Sequence, residues 1–419
     1  MTIEAAPTLE ERTSVGQARM DGASPGRRWW LVPLGIFLAT RLIDAWLLVL
    51  LGRSQVDPGT LEVAPGRPPL ETGRSYSALV ANWDGQWYRY IVDHGYPAHL
   101  PTVHGAVQDN QWAFYPLYPA LVKLGTWTGL PFGLAASLVS VTFAAVAMCL
   151  LYRVLFPRLG LFGAAMSVLA LCVAPAALVW QAAYTESLAL FLILVALSSL
   201  SSRRYGAFLV SAVALSLTRP IVLPLAAVAA IHWYVRWRRR GPDPFHRADQ
   251  IRVGLVTVLT AASFLVWPAV AAISTGRRDA YLVTQRAWLS SDINGWPNWI
   301  LVLWNGSAPA LIVLMPVAIA GLVFLVLRRR AKAWGLELRI WALAYPLYLL
   351  GSTTPTTSIF RYAMLSVVPW WPIPEVGEHV RSRRDRWALA MFVCLVGVCT
   401  QVAWMRWFWV ISPAALERP

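Results

Sequence analysis

Apolar stretches long enough to cross a lipid bilayer recur along most of this chain. A spanning helix needs about 20 apolar residues at a rise of about 1.5 Å per residue, and shorter helices are tolerated inside a bundle. Such stretches lie at roughly 29–51, 133–156, 161–178, 185–201, 205–218, 221–235, 252–274, 308–327, 336–351, 361–373 and 387–410. The pattern predicts an all-α polytopic membrane protein with about 11 transmembrane helices.

The composition excludes several other classes of protein. Charged residues make up 14% of the chain and hydrophobic residues 57%, whereas soluble domains carry about 25% charged residues. The net charge of +15 could indicate a nucleic-acid partner. However, the basic residues lie in short clusters between the apolar stretches, so we expect no nucleic-acid partner. The sequence also has no Gly-rich phosphate-binding motif of a nucleotide fold.

The basic clusters indicate the orientation in the membrane, since cytoplasmic loops are enriched in Arg and Lys. The clusters are Arg27 with Arg28, Arg153 with Arg158, Arg203 with Arg204, and the groups at 236–240, 328–330 and 381–386. All of these clusters lie on the cytoplasmic side if residues 205–235 cross the membrane twice, as two short helices, and residues 113–130 do not cross it. The N-terminus is then cytoplasmic and the C-terminus lies outside.

This topology divides the chain into two parts. Residues 1–28 are expected to form a disordered cytoplasmic tail, and residues 29–419 a single transmembrane domain. The first outer loop, 52–132, should carry two interfacial helices, at 76–92 and 113–130. We expect an integral protein of the bacterial plasma (inner) membrane, in contact with membrane lipids. The oligomeric state stays open.

The segment 82–97 of the first outer loop is rich in aromatic and charged residues. Helical spacing places four side chains on one face, suited to the membrane interface: Trp83, Trp87, Tyr90 and Ile91. Asp84 lies on a neighbouring face. It is either a solvated residue of an amphipathic helix or a general base at the membrane surface.

Five short motifs occur in a fixed order along the chain. They are Trp83-Asp84-Gly85-x-Trp87-Tyr88, Gly95-Tyr96-Pro97, Phe114-Tyr115-Pro116-Leu117-Tyr118-Pro119, Tyr184-Thr185-Glu186-Ser187 and Thr218-Arg219-Pro220. The set resembles the family of the second mannosyltransferase of GPI-anchor assembly and its bacterial relatives. That family belongs to the GT-C superfamily of polyprenol-phosphate-sugar-dependent glycosyltransferases. The resemblance runs from about residue 30 to about residue 370 and carries the GT-C fold as an expectation.

The resemblance implies transfer of a sugar, with mannose as the first choice, from a polyprenyl-phosphate donor to a lipid or glycan acceptor hydroxyl. By similarity, Asp84 matches the acidic residue of the first outer loop that acts as the base of an inverting displacement. Two alternatives stay open: a transporter or flippase, and a non-catalytic subunit of a glycan-assembly complex. The polar residues cluster at one face of the membrane, whereas a transport path needs them through its full thickness.

Two arginines are candidates for binding the donor phosphate. Arg219 follows a short span and precedes Pro220, and its alternative role is as a structural partner for Glu186. Arg361 follows a run of small polar residues, and its alternative is simple extension to the interface. Glu186 either stabilises the N-terminal end of a helix or faces the substrate.

The remaining candidates are expected to bind substrate or to stabilise the fold. The substrate-binding candidates are Trp83, Tyr88, Asp93, His94, Tyr115, Tyr184, Glu186 and Tyr362. Arg41 and Asp44, three residues apart, are expected to pair within the first span. His94 and His104 lack metal-ligand spacing, so we predict no metal and no organic cofactor. A divalent ion stays open because some members of the superfamily use one.

Overall fold

The described part of the protein is mostly helical. The computed structural model describes residues 26–56, 73–288, 295–305, 310–354, 356–367, 380 and 382–411. Within them, four helices are long and apolar enough to cross a membrane by length and composition: Leu31–Gly52, Phe132–Cys172, Arg247–Thr275 and Arg383–Trp409. These helices indicate an integral membrane protein. The count of 11 spans goes beyond these four and stays a prediction.

The α-helices are named here in chain order. They are α1 (Leu31–Gly52), α2 (Tyr76–Leu79), α3 (Asp84–His94), α4 (Leu117–Thr126), α5 (Phe132–Cys172), α6 (Glu186–Ser201), α7 (Tyr205–Ser216), α8 (Leu223–Arg238), α9 (Arg247–Ala262), α10 (Val266–Thr275), α11 (Ala280–Ala287), α12 (Trp296–Asn305), α13 (Ala310–Leu327), α14 (Leu336–Ser352), α15 (Ile359–Ala363) and α16 (Arg383–Trp404). The strands of the described residues, Thr102–Val103 and Ala106–Val107, form one antiparallel hairpin. The core lies around α5 and α6, which pack on each other and on α1 and α7.

Helix α5 joins two of the predicted spans and ends earlier than expected. Its backbone breaks at Gly160 (φ 68°, ψ −179°), three residues after Pro157. The span predicted at 161–178 is wrong at its C-terminal end, because the helix stops at Cys172. Pro175 explains the stop, since proline disfavours helical backbone in the residue before it. The following residues form an irregular segment, 173–185, most of which is buried.

The first outer loop differs from the prediction in its first helix. Trp83 has φ 60° and ψ −114° and separates α2 from α3, so the predicted four-residue face does not form. Trp87 and Ile91 are buried rather than directed towards lipid. Trp87 stacks on Phe114, with 5.6 Å between ring centroids. The aromatic residues of this segment therefore pack mainly inside the protein.

The second interfacial segment, expected at 113–130, is helical over the residues of α4. Two separate helices, α7 and α8, occupy 205–235 as expected. The span predicted at 361–373 is short where it is described: α15 is followed by a 3-10 turn, Met364–Ser366, and by Val367 with φ 64°. Residues 368–373 lie outside the described residues, as do residues 1–25 of the predicted tail.

Candidate functional site

Four charged side chains from four distant parts of the chain form one network. Arg361 Nη1 lies 2.7 Å from Asp84 Oδ2 and 3.2 Å from Glu186 Oε1. Arg219 Nη1 lies 2.6 Å from the same Glu186 oxygen. Asp84 and Glu186 are the first residues of α3 and α6, Arg219 lies between α7 and α8, and Arg361 belongs to α15. The structure thus brings together the predicted base and both predicted phosphate-binding residues.

The network is buried, with one partly open member. The exposed fraction of the side chain is 0% for Glu186, 6% for Arg361, 12% for Arg219 and 18% for Asp84. Two carboxylates and two guanidinium groups balance in charge, which offsets the large cost of removing them from water. Asp84 is the most exposed of the four side chains.

The ends of two helices position the two carboxylates. Asp84 and Glu186 each lie in the first turn of their helix, where the helix dipole stabilises negative charge. The backbone N–H of Asp84 also donates to the hydroxyl of Tyr184 over 3.3 Å. The irregular segment that begins after Cys172 allows this contact, because it places Tyr184 and Glu186 in the interior. Its backbone is fixed by Ala183, whose N–H donates to the carbonyl of Val80 over 2.9 Å.

Aromatic rings enclose the two arginines. The guanidinium carbon of Arg361 lies 4.8 Å from the ring centroid of Tyr184 and 4.9 Å from that of Tyr362. The guanidinium carbon of Arg219 lies 4.8 Å from the Tyr362 centroid. Cation–π contacts at these distances are favourable, especially when they are desolvated. Tyr184 and Tyr362 are therefore neighbours of the charged groups, and their contact with a substrate stays a prediction.

Two hydroxyl groups of the network were missed as site residues by sequence reasoning. Thr185 Oγ1 accepts a hydrogen bond from Arg219 Nη1 at 3.0 Å. Ser358 Oγ accepts one from Arg361 Nη2 at 3.2 Å. Their positions in the sequence could have indicated them. Thr185 lies between the candidates Tyr184 and Glu186, and Ser358 belongs to the small polar run that precedes Arg361.

Tyr88 lies beside the network and stays a neutral phenol. Burial raises its pKa well above the ordinary value, and the Asp84 carboxylate raises the pKa further. Burial and the Asp84 carboxylate likewise raise the pKa of Tyr184. Both hydroxyl groups therefore keep their protons at physiological pH and can act as hydrogen-bond donors.

Four other predicted residues lie apart from the network. The indole N–H of Trp83 donates to the carbonyl of Trp409 over 2.8 Å. Asp93 is half exposed and lies 3.6 Å from Arg89, and His94 stacks on the ring of Tyr90. The Tyr115 hydroxyl bonds to the Tyr281 hydroxyl at 2.7 Å in a second aromatic cluster, which also contains Trp112 and Trp267. Contact of these four with a substrate stays a prediction.

The described residues contain no group of three or more His, Cys, Asp and Glu side chains that could hold a metal ion. Both carboxylates of the network contact arginine instead. The positive charge of this network comes from Arg219 and Arg361, and their binding of a phosphate group stays a prediction.

Comparison with known proteins gives distant structural likenesses, among them three structures of an archaeal oligosaccharyltransferase. No protein-family profile matches the chain, and no curated protein is similar enough to match. The oligosaccharyltransferase of Archaeoglobus fulgidus in complex with Zn and sulfate is 14% identical, with a TM-score of 0.44 over 88% of this chain and 53% of that one. The same organism's AglB, in complex with an inhibitory peptide and a dolichol-phosphate, is 12% identical, with a TM-score of 0.43 over 91% and 56%.

The apo form of the archaeal enzyme gives a similar result. It is 12% identical, with a TM-score of 0.45 over 91% of this chain and 56% of that one. The chain spans about half the length of these structures. TM-scores of this size assign neither a fold nor an activity, so the chemistry of the site rests on the residues of this chain.

Proposed function

We propose that this protein is a GT-C-type membrane glycosyltransferase that transfers a sugar from a polyprenyl-phosphate donor to an acceptor hydroxyl at the outer face of the membrane. The sequence resemblance favours mannose as the sugar and a lipid or glycan as the acceptor. The observation that carries the proposal is the Asp84 carboxylate at the open end of a buried network with two arginines. A base next to a phosphate-binding charge is what this reaction requires.

Asp84 is the general base in this proposal. The acceptor oxygen attacks the anomeric carbon as its proton passes to the Asp84 carboxylate. The bond between the anomeric carbon and the phosphate oxygen breaks in the same displacement, and its electron pair leaves with the polyprenyl phosphate. One displacement inverts the anomeric centre. The leaving group is an anion, so it needs positive charge and hydrogen-bond donors rather than a strong acid.

Arg361 and Arg219 supply that charge. Arg361 is shared between Asp84 and Glu186 in the structure, and its buried Nε has no hydrogen-bond partner among the described residues. A donor phosphate that binds Arg361 competes with Asp84 for the guanidinium group. Binding of the donor thus weakens the ion pair of Asp84 and leaves its carboxylate available to the acceptor.

Glu186 has a different role from Asp84. Its side chain is fully buried, and a single oxygen contacts both arginines. A carboxylate without access to solvent is poorly placed to exchange a proton with an acceptor. We assign Glu186 to holding Arg219 and Arg361 side by side, so that both can face one phosphate group.

The test is a transfer assay with the purified protein in detergent or in vesicles. Polyprenyl-phosphate mannose carrying a labelled sugar is incubated with candidate lipid and glycan acceptors, and released polyprenyl phosphate is measured alongside labelled product. We expect equal amounts of both, with inverted anomeric configuration in the product.

Two other outcomes would contradict the proposal. Movement of the labelled donor across a vesicle membrane without transfer would indicate a transporter or flippase. If the protein binds the donor but neither transfers the sugar to any acceptor of the panel nor moves the donor across the membrane, it is a non-catalytic subunit.

A further inference from the structure

A cavity lies at the far end of α6 from the charged network. Its volume is about 420 Å³, and it is lined by residues of α5, of the C-terminal part of α6, and of the start of α14. Helix α6 begins at Glu186, and its residues in the cavity wall run from Leu194 to Ser201. They lie roughly 12 to 22 Å along the helix from Glu186, at about 1.5 Å per residue. The two sites are separate.

The polar part of the cavity wall is positively charged. Three arginines line it, Arg153, Arg158 and Arg204, together with four serines between positions 198 and 202. The acidic residue of the wall is Glu337, and its Oε1 lies 2.7 Å from Nδ1 of His232. Three guanidinium groups therefore face one carboxylate that already has a partner, and the cavity favours an anion.

The arginines differ in what else they bind. Arg158 is half-buried and donates to the carbonyl of Val154. Gly335 leaves room for this side chain, since a Cβ there would lie 3.1 Å from Arg158 Nη2. Arg153 and Arg204 make no side-chain hydrogen bond or ion pair with any residue of the described part of the chain. Their donors are available to a ligand.

The rest of the wall is apolar. It includes Leu150, Val154, Leu194 and Leu338, and it lies among helices that are apolar along their length. A small soluble anion gains no binding energy from contact with these apolar side chains. An amphiphile does, because its charged head contacts the arginines while its hydrocarbon chains lie along the leucine and valine side chains.

We propose that this cavity binds the phosphate-bearing head group of an anionic membrane lipid. The serine hydroxyl groups and the arginines donate to the phosphate oxygens, and the apolar wall holds the first part of the acyl chains. This lipid is a bound component of the protein rather than the substrate of the proposed transfer. The inference does not depend on Asp84 or on the sugar.

The test measures lipid binding by the intact protein. Purified protein in detergent is titrated with phosphatidylglycerol, with phosphatidylcholine or with inorganic phosphate, and bound molecules are counted by native mass spectrometry. We expect one tightly held phosphatidylglycerol. Phosphatidylcholine should bind at least about tenfold more weakly, because its choline cation opposes the arginines and the loss of one charge-assisted contact costs about that factor. Inorganic phosphate should bind more weakly by at least about the same factor, because it leaves the apolar wall in contact with water.

The informative variant is Arg153→Gln with Arg204→Gln. Both side chains are exposed and lack partners among the described residues, so the fold should persist. We expect phosphatidylglycerol affinity to fall at least about tenfold. The control, Arg384→Gln, removes an exposed arginine of α16 and should leave the affinity unchanged.

Three results would overturn the inference. Equal binding of phosphatidylglycerol and phosphatidylcholine would remove the role of the charge. Equal loss of lipid in the double variant and in Arg384→Gln would show a general surface effect. Retention of inorganic phosphate at the affinity of the lipid would show a site for the free anion instead.

Discussion

Two buried groups of arginine and carboxylate side chains in this protein differ in the partners that their arginines bind. In α1, Arg41 Nη1 lies 2.7 Å from Asp44 Oδ2, and both side chains are at most 5% exposed. Arg41 also donates to two backbone carbonyls, to Ala177 over 2.6 Å and to Cys172 over 2.7 Å. The network of Asp84, Glu186, Arg219 and Arg361 uses side chains from four segments instead.

Under the proposed function, this difference separates a structural ion pair from one that acts on a substrate. Arg41 ties α1 to the end of α5 and satisfies a carbonyl that the helix end would leave unpaired. Its partners are fixed backbone atoms, so it has little to offer a ligand. The arginines of the network bind carboxylates, hydroxyl groups and aromatic faces. Such partners can be exchanged for a phosphate group.

The largest expected effect comes from Asp84→Asn. Transfer should fall by about 10²- to 10⁴-fold, because a positioned general base contributes about that factor. The midpoint of thermal unfolding should fall less than for the fully buried Asp44, since the Asp84 side chain is partly exposed and the new amide oxygen can still accept from Arg361. The measurement is the initial rate of sugar transfer.

The matched control for that variant is Asp279→Asn. Asp279 is exposed and accepts a hydrogen bond from Arg277 at 2.6 Å, far along the chain from the network. Its rate should equal that of the unmodified protein. Full activity of Asp84→Asn would show that Asp84 is not the general base. The network would then be a structural arrangement, like the pair of Arg41 and Asp44.

Asp44→Asn should have the opposite pattern. Loss of one partner from a fully buried ion pair costs about 3–5 kcal/mol of folding stability, and Arg41 would keep its charge in the interior. Chemical denaturation in detergent measures the change, and the fraction that remains folded should transfer sugar at the normal rate. An unchanged denaturation midpoint would show that the Arg41 pair is as replaceable as a surface one.

Arg219→Lys should weaken donor binding. Arg219 contacts both Glu186 and Thr185 through Nη1, whereas the lysine keeps the charge but has a single nitrogen and so no second one to offer a phosphate. Losing one charge-assisted hydrogen bond costs about 1.5–3 kcal/mol, so KM for the donor should rise about 10- to 100-fold. Arg203→Lys, at an exposed arginine near the end of α6, should leave KM unaltered. Equal KM values in both variants would exclude Arg219 from phosphate binding.

The smallest effect is expected for Tyr184→Phe. The variant loses the hydroxyl that accepts from the Asp84 N–H, and a hydrogen bond of this kind contributes about 0.5–1.5 kcal/mol. The rate should fall by up to about tenfold. Burial raises the pKa of Tyr184, so the phenol is protonated throughout the working range. The pH profile of the variant should therefore run parallel to that of the unmodified protein up to about pH 10, and a shifted alkaline limb would contradict this.

The site residues were easier to predict than the contacts among them. The ordered motifs placed Asp84, Glu186 and Arg219 among the candidates, and the small polar run before Arg361 added that residue. A contact between Arg219 and Glu186 was one of the alternatives that the sequence offered. The contact between Asp84 and Arg361 was not predictable, since the two residues are far apart in the chain. The helical face that includes Trp83 failed because its backbone leaves the helical region there. The early end of α5 had a signal in Pro175 that hydropathy alone did not reveal.

The positions of Trp83 and Trp409 have a consequence for how the protein is made. The carbonyl of Trp409 accepts a hydrogen bond from the indole N–H of Trp83, 326 residues earlier in the chain. The indole N–H of Trp409 donates to the carbonyl of Leu79 over 2.8 Å. A ribosome that adds about 5–20 residues per second needs roughly 16 to 65 s to make that stretch. The loop that carries Asp84 must wait that long for these two hydrogen bonds, so every newly made chain passes through a period in which this loop is present without its C-terminal partners.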